Sequence, residues 1–228
     1  LCANVVKADG SYIDNVKPYV IKDYGEFKVA IFGLMTSKTA QSGNPAHIKG
    51  YTFRDEVEVA SELVPKLEEQ ADIVVALFHI SLYDSVDEGS KRVAANVPGI
   101  DVIIDGHTHT HMDEPVWIAN KTSGKEVPIL MANQWGLHVG HIDLKFMNGE
   151  VTDLGFELIP VNVKTREGEE FKFVGEEINK DETLKARLQP FVDKVDEVLN
   201  EEIGTASAPF LNKNTRQQET AIGDMVAD

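Results

Sequence analysis

Ile100-Asp101-Val102-Ile103-Ile104-Asp105-Gly106-His107-Thr108-His109 is an apolar run that closes on a glycine and two histidines. Its β-branched residues read as a buried strand. Gly106, at the strand end, permits a tight turn and close approach of the backbone to a neighbouring group. Two imidazoles, one residue apart, then stand on the loop beyond it. A second apolar run, Ile73-Val74-Val75-Ala76-Leu77-Phe78, ends in His79. Three histidines therefore sit at the ends of two strands, and in an open α/β sheet that edge is where ligands bind.

The pattern around these strands is alternating. Residues 1–6 read as a strand. Residues 19–22 and 27–32 read as a hairpin across Asp23-Tyr24-Gly25-Glu26. Residues 56–69 read as an amphipathic helix with Val57, Ala60, Leu63, Val64 and Leu67 on one face. Residues 87–96 read as a short helix. Strand, helix, strand, helix, strand implies an α/β fold with a mainly parallel sheet and right-handed crossovers. Beyond Glu114, residues 127–131, 138–146 and 151–158 predict an antiparallel meander forming a second sheet, with Asn148-Gly149 as a hairpin turn. Residues 164–177 read as a polar surface loop. Residues 181–202 read as a helix with Asp181 as N-cap, a kink at Pro190 and a stop at Gly204. Another helical start, residues 219–226, runs to the end of the sequence. The pattern at both ends predicts an internal segment of a longer protein.

At 228 residues the chain can bury a substantial core. Its net charge of −16 argues against binding nucleic acid polymers, because neutralising phosphates needs Lys and Arg. Small phosphorylated substrates remain compatible, since bound cations invert a local field. No stretch is long enough to predict a transmembrane segment, and no signal peptide is visible. Cys2 alone excludes an internal disulfide and a thiolate cage.

Neutral imidazole is a common ligand of zinc, manganese and iron. A bare His-x-His pair favours two solvated loop residues. The glycine before this pair, the strand feeding it and the strand-end His79 shift the reading to a metal site in which two rings reach one ion or two neighbouring ions. His111 lies two residues further on, where the chain should be leaving the site. His138 and His141 differ by three within a predicted strand, so they point to opposite faces and do not share an ion. His47 carries no signal. Asp84, Asp87 and Glu88 suit an acidic helix start. Asp105 is close enough to orient an imidazole. Trp135 reads as a packing residue, and Asn120-Lys121-Thr122 fits a glycosylation sequon.

Assembled, these residues resemble the 5′-nucleotidase family of calcineurin-like metallophosphoesterases across nearly the whole chain. Leu1-Cys2-Ala3-Asn4-Val5 resembles the strand after that family's Gly-Asn-His-Glu block, and Phe78-His79 the block supplying one metal-binding histidine. Residues 97–109 resemble its last metal block, which is the most specific match. Residues 216–228 resemble the opening of its second domain. The resemblance implies a metallophosphatase-type four-layer α/β/β/α sandwich, present in part, over residues 1–160. A linker loop and helix over 161–204 and the start of a C-terminal substrate domain over 205–228 follow.

It also implies two divalent ions, zinc, manganese or similar, with His79 and His107 on one and His109 on the other. A metal-bound water would attack phosphorus, with Arg216 contacting a nucleotide or other small phosphorylated substrate. The family's Asp-x-His block, its bridging Asp and its catalytic Asn-His pair correspond to positions before residue 1. The segment alone is therefore expected to be a poor catalyst or none. Family members of this type are periplasmic or lie at the cell surface. Cyclic-nucleotide phosphodiesterases, nucleotide-sugar hydrolases and thiohydrolases carry the same blocks, so the substrate is not fixed. The alternatives are a non-catalytic metal- or nucleotide-binding module with an incomplete site, and a structural α/β domain with incidental histidines.

Overall fold

The computed structural model describes residues 1–228 except 148, 149, 169, 203, 206–208, 210–219 and 221–228. The chain divides into two compact units, residues 1–178 and residues 179–228.

The first unit starts with β1 (Val5–Lys7), β2 (Tyr19–Asp23) and β3 (Lys28–Met35). Two single-turn helices, α1 (Thr39–Ser42) and α2 (Pro45–Ile48), lead to β4 (Tyr51–Phe53) and the long helix α3 (Glu56–Glu68). Then come β5 (Ile73–His79), α4 (Gly89–Asn96), β6 (Val102–Asp105), β7 (Val116–Ala119) and β8 (Glu126–Met131). Two hairpins complete it: β9 (His138–Met147) with β10 (Glu150–Pro160), and β11 (Lys164–Glu167) with β12 (Glu170–Phe173). The second unit contains α5 (Glu182–Leu199).

Six strands form one mixed sheet in the order β2-β3-β5-β6-β8-β7. The four central strands run parallel, and β2 and β7 are antiparallel edges. Ala30, Phe32, Leu34, Val74, Ala76, Phe78 and Ile103 point from these strands to one face. There they meet Val59, Ala60, Val64 and Leu67 of α3 and Val93 and Ala94 of α4. Burying each of the larger side chains contributes about 1.5–3 kcal/mol. The β9–β10 hairpin alternates half-buried and exposed residues. It lies over the other face, where Leu144 and Phe146 line a cavity of about 450 Å³ with Val29, Ile73 and Val75.

Three local expectations change. Residues 127–131 belong to the main sheet as β8, parallel to β6, and only the β9–β10 hairpin lies apart. A short apolar run carries no signal that separates a buried parallel strand from a meander strand. The predicted loop at 164–177 contains the exposed β11–β12 hairpin. The second unit's α5 ends at Leu199 with Asn200 as its cap, before Gly204. Its N-cap is as expected, with Asp181 Oδ1 accepting from the Leu184 N–H at 2.8 Å. The Asn148-Gly149 turn lies outside the described residues.

Two polar side chains tie the elements together. Asn4, fully buried, donates to the carbonyls of Met35 (2.7 Å) and Arg54 (3.1 Å) and accepts from the Met35 N–H (3.0 Å). It thereby joins the start of β1 to the end of β3. Asp55 caps α3 by accepting from the Val57 and Glu58 N–H groups and also receives both ends of the Arg92 guanidinium from α4, at 2.8 and 3.2 Å. Partial burial pushes the Asp55 carboxyl up, but Arg92 and the capping amides outweigh it, leaving it below its usual value. A lowered carboxyl pKa contributes stability that is complete above the unfolded value of about 3.9 and fades as pH falls through the folded one. Asp55→Ala should therefore lower stability at pH 7 by about 1–2 kcal/mol, mostly from the lost cap. The loss should shrink as urea denaturation is repeated at pH values approaching 3. An unchanged midpoint at pH 7 contradicts the capping role.

Candidate metal centre

The carboxyl ends of the parallel strands fall side by side. Met35 pairs with His79, and Asp105 with Met131. The Thr36 N–H donates to the His79 carbonyl at 3.0 Å, which holds the end of β3 against that of β5. Every expected metal-binding histidine lies on this rim.

Asp105 organises it. Its side chain is buried at the end of β6, and Oδ1 accepts from the N–H groups of Ile80 (3.0 Å), Ser81 (3.5 Å) and Gly106 (2.7 Å). One carboxylate oxygen thus joins the loop after His79 to the loop bearing His107. The expectation that Asp105 orients an imidazole is corrected: it grips backbone. Thr108 adds a second tie, its Oγ1 accepting from the Leu82 N–H at 3.2 Å. Asp105 Oδ2 and Ser81 Oγ are buried without a hydrogen-bond partner among the described residues. Buried unpaired oxygens are costly, at about 1–3 kcal/mol each, and they concentrate here.

The His79 and His107 rings stand edge to face with centroids 5.0 Å apart. An imidazole nitrogen lies about 2.0–2.1 Å from a zinc ion, so two rings sharing one ion have centroids roughly 4.5–5.3 Å apart. The pair fits two ligands of one divalent ion. His109 turns elsewhere, its ring edge-on to the indole of Trp135 at 5.8 Å. Among the described residues no three His, Cys, Asp or Glu side chains converge as a metal cage. Arg216 lies outside the described residues.

Backbone strain gathers on the same rim. Ser81, His107, His109, Asn133 and Trp135 all have positive φ, on the three loops that follow β5, β6 and β8. Only Asn15 and Asn162 share that feature elsewhere among the described non-glycine residues. Such conformations cluster at ligand clamps. Gly106 is not strained in this way. A Cβ placed on it would lie 3.0 Å from His79 Nδ1, so its role is to let that ring approach.

Other sequence expectations resolve here. Trp135 is not a packing residue: it is 82% exposed. A lone tryptophan in a polar loop gives no sequence signal of where its ring goes. Asn120 is buried, donates to the Ala94 carbonyl and accepts from the Thr122 and Ser123 N–H groups, so the sequon is structural. His111, where the chain is expected to be leaving the site, has its ring 5.0 Å from that of His138.

Comparison with known proteins decides the family. The calcineurin-like phosphoesterase family matches residues 6–111, which contain His79, His107, His109 and the Asp105 clamp. Residues 6–111 form a calcineurin-like phosphoesterase domain. The 5′-nucleotidase of Vibrio cholerae is 32% identical over all of this chain and 46% of its own length. Protein UshA of Escherichia coli is 30% identical over 91% of this chain and 39% of its own length. The chain therefore spans less than half the length of these relatives. Among solved structures, the NAD nucleotidase of Haemophilus influenzae superimposes with a TM-score of 0.68 at 22% identity, over 90% of this chain and 47% of that one, and supports the metallophosphatase fold. Calcineurin-like phosphoesterases use divalent metals.

Because the Gly106 backbone tolerates alanine, Gly106→Ala isolates the ring contact. It should change thermal stability by less than about 1 kcal/mol. It should weaken zinc binding by about 10–100-fold, as when an outer partner of a ligand is lost. Equal zinc affinity in calorimetric titrations of the two proteins overturns the role given to Gly106.

Proposed function

We propose that the chain carries part of the metal centre of a phosphoric ester hydrolase of the 5′-nucleotidase type, acting on nucleotides or other small phosphorylated substrates. The observation that carries this reading is the 5.0 Å approach of the His79 and His107 rings on the rim of a calcineurin-like phosphoesterase domain. The names of the Vibrio and Haemophilus relatives support a nucleotide substrate.

In this reading His79 and His107 hold one divalent ion, and His109 contributes to a second, making a binuclear centre. Bound ions of the zinc or manganese class supply Lewis-acid stabilisation of charge developing on phosphoryl oxygens. The chain's own residues do the positioning. Asp105 fixes the two ligand loops in register, Gly106 admits the His79 ring, and the strained backbones of His107 and His109 aim their imidazoles outward. Arg216 is assigned to the substrate phosphate or sugar. Residues 1–160 are assigned to the metallophosphoesterase domain, 161–204 to a linker, and 205–228 to the start of a substrate domain.

A periplasmic or cell-surface location accompanies this reading, and osmotic-shock fractionation of the source cells checks it. No described helix is long and apolar enough to cross a membrane.

Calorimetric titration with zinc tests the centre. His107→Ala should lose affinity by more than about 100-fold, beyond the effect of an outer-shell change, while His47→Ala should bind as the parent does. If neither substitution alters binding, the metal reading of this rim is wrong. A second expectation concerns turnover. With three imidazoles and no bridging carboxylate, the 228-residue chain supplied with manganese should release phosphate from AMP no faster than His107→Ala. Turnover well above that control overturns the view that ligands beyond these histidines are essential.

A further inference from the structure

The loop leaving Gly106 carries a second imidazole pair that the phosphoesterase reading leaves unused. His111 pairs with His138, the first residue of β9, with ring centroids 5.0 Å apart and planes at 73°. The separation equals that of His79 and His107, whose planes meet at 82°. It satisfies the same requirement for two imidazoles on one ion, roughly 4.5–5.3 Å.

The surrounding backbone holds the pair in place. His111 forms an antiparallel bridge with Ala132, and the Asn133 N–H donates to the Thr110 carbonyl at 3.1 Å. The residues before His111 are thus tied to those before His138. Asn133 Nδ2 lies 3.4 Å from His138 Nδ1. That contact restrains rotation of the His138 ring. Asp113 stands beside the pair with Oδ1 3.5 Å from His111 Nε2, on a side chain that is 93% exposed and free to turn. His111 is exposed and His138 half-buried, so an ion can enter from solvent.

We propose that His111 and His138 form a separate transition-metal site on the outer side of the Gly106–His109 loop. Its two imidazoles favour zinc, copper(II) or nickel over magnesium or calcium, which need oxygen donors. No third His, Cys, Asp or Glu side chain completes it among the described residues, so water fills the remaining positions. An ion held there cross-links the exit of the loop to the start of β9. This stiffens the segment that carries His109 without touching His79 or His107.

The test uses the 228-residue chain and zinc alone. His107→Ala first silences the inner pair. In that background one equivalent of zinc should still bind, and it should raise the melting temperature. Adding His111→Gln or His138→Gln should cut the remaining affinity by at least about tenfold and abolish the zinc-dependent rise in melting temperature. Asp113→Asn should change affinity less than about threefold, since it removes a neighbour and not a ligand. His111 is exposed, so His111→Gln should melt like its parent without zinc, which separates lost binding from lost folding.

If the His107→Ala chain binds no zinc, the pair is aromatic packing only and the proposal falls. It falls equally if zinc binds with the same affinity after both glutamine substitutions. Neither result touches the inner centre, which is judged by the effect of His107→Ala on the parent chain.

Discussion

One carboxylate oxygen holds the functional rim together. Asp105 Oδ1 accepts three backbone N–H groups from two loops that are more than twenty residues apart in sequence. The loops after parallel strands have no ladder partner for their first amides, and burying those amides unpaired costs free energy. An anionic acceptor binds them more strongly than a neutral one would. The separation of the His79 and His107 rings follows from this grip, because the peptide bonds just after His79 and just before His107 are fixed by the same atom.

The rim also stores strain. A helix-packed parallel sheet gives rigid strand ends, and the loops leaving them turn through positive φ at Ser81, His107, His109, Asn133 and Trp135. Each such turn at a non-glycine residue is unfavourable, so the order behind it must come from elsewhere. It comes from the core of α3, α4 and the sheet, where Phe32, Leu67, Ile103 and Ile129 are fully buried. Asn4 and Asp55 join in, clamping β1, β3, α3 and α4, Asn4 doing so at Met35, the β3 residue beside His79. Stability thus comes from the packed face of the sheet, and site geometry from the ends of its strands.

The parts of this arrangement that sequence revealed were periodic. Alternation and helical spacing located β3, α3, β5 and α5, and the glycine and histidines after Ile104 located the rim. What escaped was set by contacts distant in sequence. β8 reads as a meander strand because its five buried residues carry no period, and only its parallel register with β6 fixes its sheet. Asp105 looked like a partner for a ring because sequence does not reveal which amides converge on it. The meeting of His111 and His138 depends on a bridge to Ala132 that no local pattern encodes. The sequon triplet at Asn120 is a chance match, its amide spent inside the fold.

Trp135 gives the rim an optical property. The chain has two tryptophans, and the other, Trp117, lies on β7 at the sheet edge. The indole of Trp135 is almost fully solvated and touches His109 and no other aromatic ring among the described residues. Its emission therefore answers to the charge and tilt of a single imidazole. With Trp117 replaced by phenylalanine, the protein would carry its own fluorescent gauge of events at that histidine, readable without any label.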